Sequence, residues 1–304
     1  MFAVISRRAA VPSMVSIGAT YTSFSSSSLV VSVEVVSDTL WPNGYIGKKH
    51  LNHAIDEVLS SPLSDAPRPL TFSVIRVPFF LEPDYDETKP FIESNRERLV
   101  KKWGGKRGWE RQKAAHDLKG RGLEAGIPHF NLDRLTSNTM ASHRLIQHIG
   151  KKYGLRVSEG LYDRLNTYYF VEGHALNDKK RLAGVAAEEI ARLLATGDLS
   201  DDAVAPLTEA EIRYFLEGIE GQREIKEALL TLREIGVHGI PKFIIEGRTV
   251  VDGAARSDHF VQIFRGIEQR GEVAGGPVFS DILGISDEVV RRGSHTVPSE
   301  RLVA

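Results

Sequence analysis

Strand-like patterning in this chain is confined to two short stretches, one on either side of a long helical block. Leu29 to Val36 places Val31, Val33 and Val35 in alternation with Ser32 and Glu34, and β-branched residues dominate, as in a strand. After Pro42, the residues Ile46, Leu51, Ile55, Val58 and Leu59 recur at helical spacing. Pro62, Pro67 and Pro69 enforce a loop, and Leu70 to Val77 is a second strand with Leu70, Phe72 and Val74 on one face. The chain therefore opens β-α-β, a unit that is right-handed almost without exception when its strands are parallel. Strands return only at Phe243-Ile244-Ile245 and Thr249-Val250-Val251, around the short loop Glu246-Gly247-Arg248, read as a hairpin with exposed loop side chains. A helix carrying Phe260, Ile263, Phe264 and Ile267 follows.

Between these two regions, residues 91–235 read as helix. Glu93 to Leu118 is charge-rich and interrupted at Gly104-Gly105 and Gly108. Asn138 to Tyr153, Leu161 to Val171 and Lys179 to Leu194 are amphipathic helices. Thr208 and Glu211 form a capping-box signature opening a long helix through Ile212, Phe215, Ile225 and Leu232, with a kink at Gly221. An inserted helical unit is the economical reading, because a contiguous α/β protein has no need of so many helical residues between its strands. Residues 271–304 have weak periodicity and read as a loosely packed tail, or as one short helix near Ser286 to Arg292.

The segment Ser37-Asp38-Thr39-Leu40-Trp41-Pro42-Asn43-Gly44-Tyr45-Ile46-Gly47-Lys48-Lys49 joins the first strand to the first helix. It resembles the Ser-Asp-x-x-Cys-Pro-Trp-Cys-Tyr-x-Gly-Lys turn of the FrnE-type branch of DsbA-like oxidoreductases, whose relatives include kappa-class glutathione transferases and 2-hydroxychromene-2-carboxylate isomerases. Three further segments share the resemblance. Pro78-Phe79-Phe80-Leu81-Glu82-Pro83 is similar to the branch's Pro-Phe-x-Leu-x-Pro. Asn138-Thr139 with His143-Arg144-Leu145 is similar to its Asn-Thr-x-x-x-His-Arg-Leu. Gly239-Ile240-Pro241-Lys242-Phe243 through Asp252-Gly253-Ala254 resembles its cis-proline loop, hairpin and Gly-Ala turn. Together these segments lie within residues 29 to 270. The resemblance implies an α/β thioredoxin fold, β-α-β … β-β-α, with a large all-helical insertion. Its expected divisions are a leader at 1–28, the thioredoxin-fold domain at 29–90 and 236–270, the insertion at 91–235, and the tail.

Trp41 and Gly44 stand where the branch has its two cysteines, and the whole chain has no cysteine. Dithiol–disulfide exchange needs a thiolate nucleophile and a resolving sulfur. An indole donates a hydrogen bond and stacks, but it does not attack a disulfide. The resemblance thus implies the oxidoreductase family while the residues remove its usual reaction. The leading expectation is a groove-binding divergent member, or pseudo-enzyme, using Trp41, Pro42, Asn43, Gly44, Ile240 and Pro241. Pro241 would be cis, and Ile240 would offer its main chain to glutathione, a small thiol conjugate or an extended peptide. The start of the first helix would offer free N–H groups to an anion. Trp41 is either a stacking platform or a plug. One alternative is a kappa-type transferase or isomerase with glutathione as co-substrate, which needs a hydrogen-bond donor to the thiolate, either the Trp41 indole N–H or a backbone N–H near Asn43. Thr39 would serve only if the turn were remodelled. Another is an interaction protein acting through the insertion. No resident cofactor is expected.

Other residues carry less. His50 and His53 lie at i, i+3 without a third ligand, so they read as helix-surface residues rather than a metal site. His143 and Asp38 read as a packing residue and a turn-binding carboxylate. Lys101 to Trp109 mixes cations with two tryptophans, but a net charge of −1 gives no basic excess for nucleic acid, and the pair is read as buried. No apolar run approaches the ~18 residues of a membrane span. Arg7 and Arg8 are the only charged side chains before Glu34, and Ser is dense. That composition suits a transit peptide to a mitochondrion or plastid, or else a disordered leader on a cytoplasmic protein. Kappa-type relatives are dimers, so a homodimer is left open.

Overall fold

A computed structural model describes residues 28–196 and 204–296. The expected leader, apart from Ser28, lies outside these residues. The first strand, β1 (Leu29–Ser37), leads through a turn into α1 (Pro42–Ser60), and β2 (Leu70–Pro78) returns parallel to β1. Leu29 faces Leu70, and the register holds to Ser37 opposite Pro78. The hairpin strands β5 (Lys242–Ile245) and β6 (Thr249–Asp252) add antiparallel to the other side of β1. The sheet order is β6-β5-β1-β2-β7, with β1 central and β7 (His295–Thr296) antiparallel to β2.

Both faces of β1 are buried, which is why its valines do not alternate with exposed residues. Val31, Val33 and Val35, with Phe72 and Val74, pack under α1 and α10 (Ser257–Arg270). Phe72 meets Phe264 at 4.6 Å and Phe243 meets Phe260 at 4.9 Å. The opposite face, Val36, Ile75 and Val77, is covered by α9 (Gln222–Glu234) and by Phe279, Leu283 and Ile285. Each such side chain contributes about 1.5–3 kcal/mol on burial. α9 was grouped with the insertion by sequence, but it packs on the sheet. The tail is likewise not loose. Its apolar residues seat on the sheet, α11 (Asp287–Arg292) follows a Ser286 cap, and β7 closes the far edge.

The insertion begins with a two-residue strand β3 (Glu93–Ser94) paired to β4 (Leu135–Thr136), which no sequence pattern announced. Between them run α2 (Asn95–Lys102), α3 (Lys106–His116) and α4 (Leu118–Glu124). Trp109 is buried, whereas Trp103 is only half-buried, so the expected pair of buried tryptophans reduces to one. α5 (Met140–Tyr153), α6 (Leu155–Asn166) and α7 (Lys179–Thr196) build the insertion core around Leu145, Ile149, Leu161, Leu165 and Ile190. α6 starts earlier than its apolar pattern implied and ends in a π-helical turn, Thr167–Val171, that buries Tyr168, Tyr169 and Phe170.

The Thr208 capping box forms as expected: the Glu211 N–H donates to Thr208 Oγ1 and the Thr208 N–H to the Glu211 carboxylate. The helix it opens is not continuous. α8 (Glu209–Glu217) stops before Gly218, and α9 restarts after Gly221, whose φ of +82° is easy only for glycine. Glu246, expected to be exposed, is buried. Its carboxylate accepts from Arg270 Nη2 (2.8 Å) and from the Ala274 N–H (2.9 Å), tying the hairpin to the segment after α10.

Candidate functional site

The β1–α1 turn is held by Asp38. Its buried carboxylate accepts from the Leu40 N–H (3.3 Å) and from the Leu81 N–H (2.7 Å), binding the turn to the loop after β2. His143 on α5 reaches the same place, with Nε2 3.2 Å from the Phe79 carbonyl oxygen and 3.5 Å from Asp38 Oδ1. Thr39 is not turned toward any opening. Its buried hydroxyl pairs with Ser142 Oγ at 2.8 Å. Asn138 and Arg144 also act in packing: Asn138 Nδ2 donates to the Tyr85 carbonyl, while Arg144 donates to the carbonyls of Phe215, Leu216 and Glu220.

Trp41 is the residue just before α1, in extended backbone, and Pro42 occupies the first helical position, where its missing N–H is not needed. The Gly44 and Tyr45 N–H groups both turn back to the Trp41 carbonyl, at 2.9 and 3.3 Å. The helix start is therefore less open to an anion than expected. Asn43 adds an acceptor rather than a donor. Its side-chain Oδ1 is buried without a partner. At Gly44 a Cβ would sit 2.1 Å from Ser37 Oγ, so a side chain there requires the Ser37 hydroxyl to turn away. At Gly47 a Cβ would lie 2.9 Å from the Phe243 ring, which lets α1 lie close on the hairpin.

The Ile240–Pro241 peptide is cis. The structure brings this loop against the turn: Trp41 Nε1 donates to the Ile240 carbonyl oxygen at 3.0 Å. The six sequence-predicted residues lie at one end of the sheet, Trp41, Pro42, Asn43 and Gly44 at the start of α1 and Ile240 and Pro241 on the loop beside it. His50 is half-buried and His53 exposed on α1. No cluster of three or more metal-binding side chains occurs among the described residues.

Two buried charge arrangements escaped the sequence reading. Lys48 is fully buried and donates to Asp163 Oδ2 at 2.6 Å. Beside it Arg76 makes two bonds to Glu159, at 2.6 and 2.5 Å, and lies over the Tyr162 ring at 4.2 Å. Burial opposes the charge on Glu159, but Arg76 and Lys48 outweigh it and hold its carboxyl below the usual range. These pairs join α1 and β2 to α6 of the insertion. The available signal was Lys48 standing among Gly44, Leu51 and Ile55 on the apolar side of α1. The second is Glu34 on the central strand. Its Oε1 accepts from the Phe279 N–H at 2.6 Å, Oε2 has no partner, and burial pushes its pKa up to about 7.

No protein-family model matches the chain, and no curated protein matches its sequence. Solved structures do. A protein described as a probable DsbA oxidoreductase from Streptomyces coelicolor superposes with a TM-score of 0.61 at 22% identity, over 82% of this chain and 93% of its own. The chain has the DsbA-like thioredoxin fold. More distant are a 2-hydroxychromene-2-carboxylate isomerase (TM-score 0.45, 15% identity, 78% of this chain and 94% of that one) and the cytosolic disulfide reductase DsbM of Pseudomonas aeruginosa with GSH (0.42, 14%, 86% and 99%). With Trp41 just before α1, Gly44 in its first turn and no sulfur in either, this turn carries an indole donor and no thiol nucleophile. Among the described residues no helix is long and apolar enough to cross a membrane.

Proposed function

We propose that this protein is a redox-silent, groove-binding member of the DsbA-like fold, in which Trp41 gates a site for glutathione or another peptide-like ligand. The observation that carries the reading is the Trp41 Nε1–Ile240 carbonyl bond. A main-chain carbonyl beside the helix start is the group an extended ligand's amide N–H would pair with, by the logic of strand addition. Here the indole N–H takes that acceptor. Trp41 therefore acts as a plug that a ligand must displace. The unpartnered Asn43 Oδ1 supports a second polar contact once the indole moves.

The transferase alternative is less well supported. It needs a donor to the glutathione thiolate, and both candidate side chains are engaged, the Trp41 indole with Ile240 and the Thr39 hydroxyl with Ser142, which leaves a backbone N–H near Asn43 as the remaining donor. The test is calorimetric titration of glutathione and S-methylglutathione into the wild-type chain and Trp41→Ala, alongside an insulin-reduction assay. Saturable binding that tightens in Trp41→Ala, with no disulfide turnover, supports the reading. Absence of binding to both proteins, or retained disulfide turnover, contradicts it.

A further inference from the structure

On the sheet face opposite α1, a cavity of about 250 Å³ opens between the loop after β2, the start of α5 and α9. Its walls are apolar: Phe79, Phe80, Met140, Leu229, Leu232 and Val237. None of the groove residues from Trp41 to Gly44 lines it, and neither does Ile240 or Pro241. The one buried polar side chain in the wall, Asn138, is already used at both ends, Nδ2 by the Tyr85 carbonyl and Oδ1 by the Met140 N–H. Polar recognition therefore falls to the rim.

The rim carries Lys226 and Arg233, two turns apart on the side of α9 that also presents Leu229. Both are exposed, and neither is in an ion pair among the described residues. Other cations of the insertion are paired, such as Arg98 with Glu82 and Lys151 with Glu224, but Lys226 and Arg233 border the cavity with no carboxylate bound to them among the described residues. Glu87 is the single carboxylate on the rim, leaving a cationic excess, and part of its field acts on Arg144. An apolar pocket bordered by two unpaired cations suits a ligand with one hydrocarbon end and one anionic end. A cavity of about 150 Å³ accepts benzene, so this one has room for a ring with a short acid arm or a chain of about eight carbons.

We propose that this cavity binds a small amphipathic carboxylate, its hydrocarbon against Phe79, Phe80 and Leu229 and its carboxylate between Lys226 and Arg233. None of the Trp41 groove residues lines the site, although Ile240 packs in the same apolar cluster as Phe79, Leu229, Leu232 and Val237. The test is calorimetric titration of the full chain with octanoate and with octylamine. Octanoate should saturate one site and octylamine should not. Lys226→Gln with Arg233→Gln, both surface changes, should weaken octanoate by roughly tenfold or more. Leu229→Trp should abolish binding by filling the cavity, with circular dichroism confirming that the variant is folded. Trp41→Phe should leave octanoate binding unchanged. The proposal is overturned if octanoate gives no saturable heat, if octylamine binds equally well, or if the double variant keeps the wild-type affinity. Loss of binding in Trp41→Phe would instead put octanoate in the Trp41 groove and also overturn it.

Discussion

Trp41 and Ile240 lie 199 positions apart in the chain and meet through one hydrogen bond, indole Nε1 to carbonyl oxygen, at 3.0 Å. That bond links the start of α1 to the loop entering β5, the two elements that frame the end of the sheet. The indole gives the Ile240 carbonyl an intramolecular partner.

Trp41→Phe keeps an aromatic ring but removes the donor together with the rest of the indole. It should lower stability by about 1 kcal/mol, the usual net worth of one such bond. Urea denaturation followed by circular dichroism reads this directly, and an unchanged midpoint would mean that the bond does not form in solution.

Gly44→Ala should cost about 1–3 kcal/mol, because the new Cβ would lie 2.1 Å from Ser37 Oγ. Ser37→Gly removes the obstructing atoms. The alanine should then be tolerated, giving a double-mutant coupling of the same size. The same clash bears on any attempt to restore a cysteine pair, since a Cys at position 44 requires Ser37 to move. Thermal unfolding of the four proteins in the cycle settles it; additive effects would show that Ser37 is not the constraint.

Arg76→Met should destabilise by about 3–5 kcal/mol, since it leaves the buried Glu159 carboxylate without hydrogen-bond donors and with only Lys48, at 3.9 Å, beside it. Replacing both, Arg76→Met with Glu159→Leu, should recover most of the loss. If the single and double variants are equally unstable, packing around Arg76 over the Tyr162 ring outweighs the charge pair.

Glu34 sets a pH dependence of unusual sign for a carboxylate. Its folded pKa of about 7 lies above the ordinary 4.5, so the folded state holds the proton more tightly. The associated stability is present below pH 4.5 and is lost as pH rises through about 7. Glu34→Gln cannot ionise. It should flatten this part of the profile and make the protein more stable than wild type above pH 7, by at most about 3 kcal/mol. Denaturation midpoints from pH 5 to 8.5 check it, and parallel profiles for the two proteins would contradict it.

Much of this arrangement was legible in the residues, for reasons that also explain what was missed. The β1–α1 turn was legible through the resemblance of residues 37–49 to the family's turn and through Pro42, which suits the first helical position. The Thr208 capping box was readable because its two bonds lie within four residues. The break between α8 and α9 was read as a kink because the apolar stripe passes through both helices; only the φ of Gly221 separates the two readings. β7 is two residues long and has no period of its own, so its pairing with β2 exists only in three dimensions. Glu246 followed the rule that hairpin loops are exposed, which fails here because Arg270 and the Ala274 N–H lie across it. The platform-or-plug choice at Trp41 depended on a contact 199 residues away, beyond any local pattern.

The central claim is that Trp41 closes the groove by holding the Ile240 carbonyl and yields to a peptide-like ligand. The most direct measurement is the fluorescence of Trp41 in a Trp103→Phe, Trp109→Phe chain during titration with S-methylglutathione. The account predicts a saturable change in emission as the indole leaves the carbonyl, with calorimetry giving the same affinity. Unchanged emission, with no heat of binding in this chain or in Trp41→Ala, would contradict it.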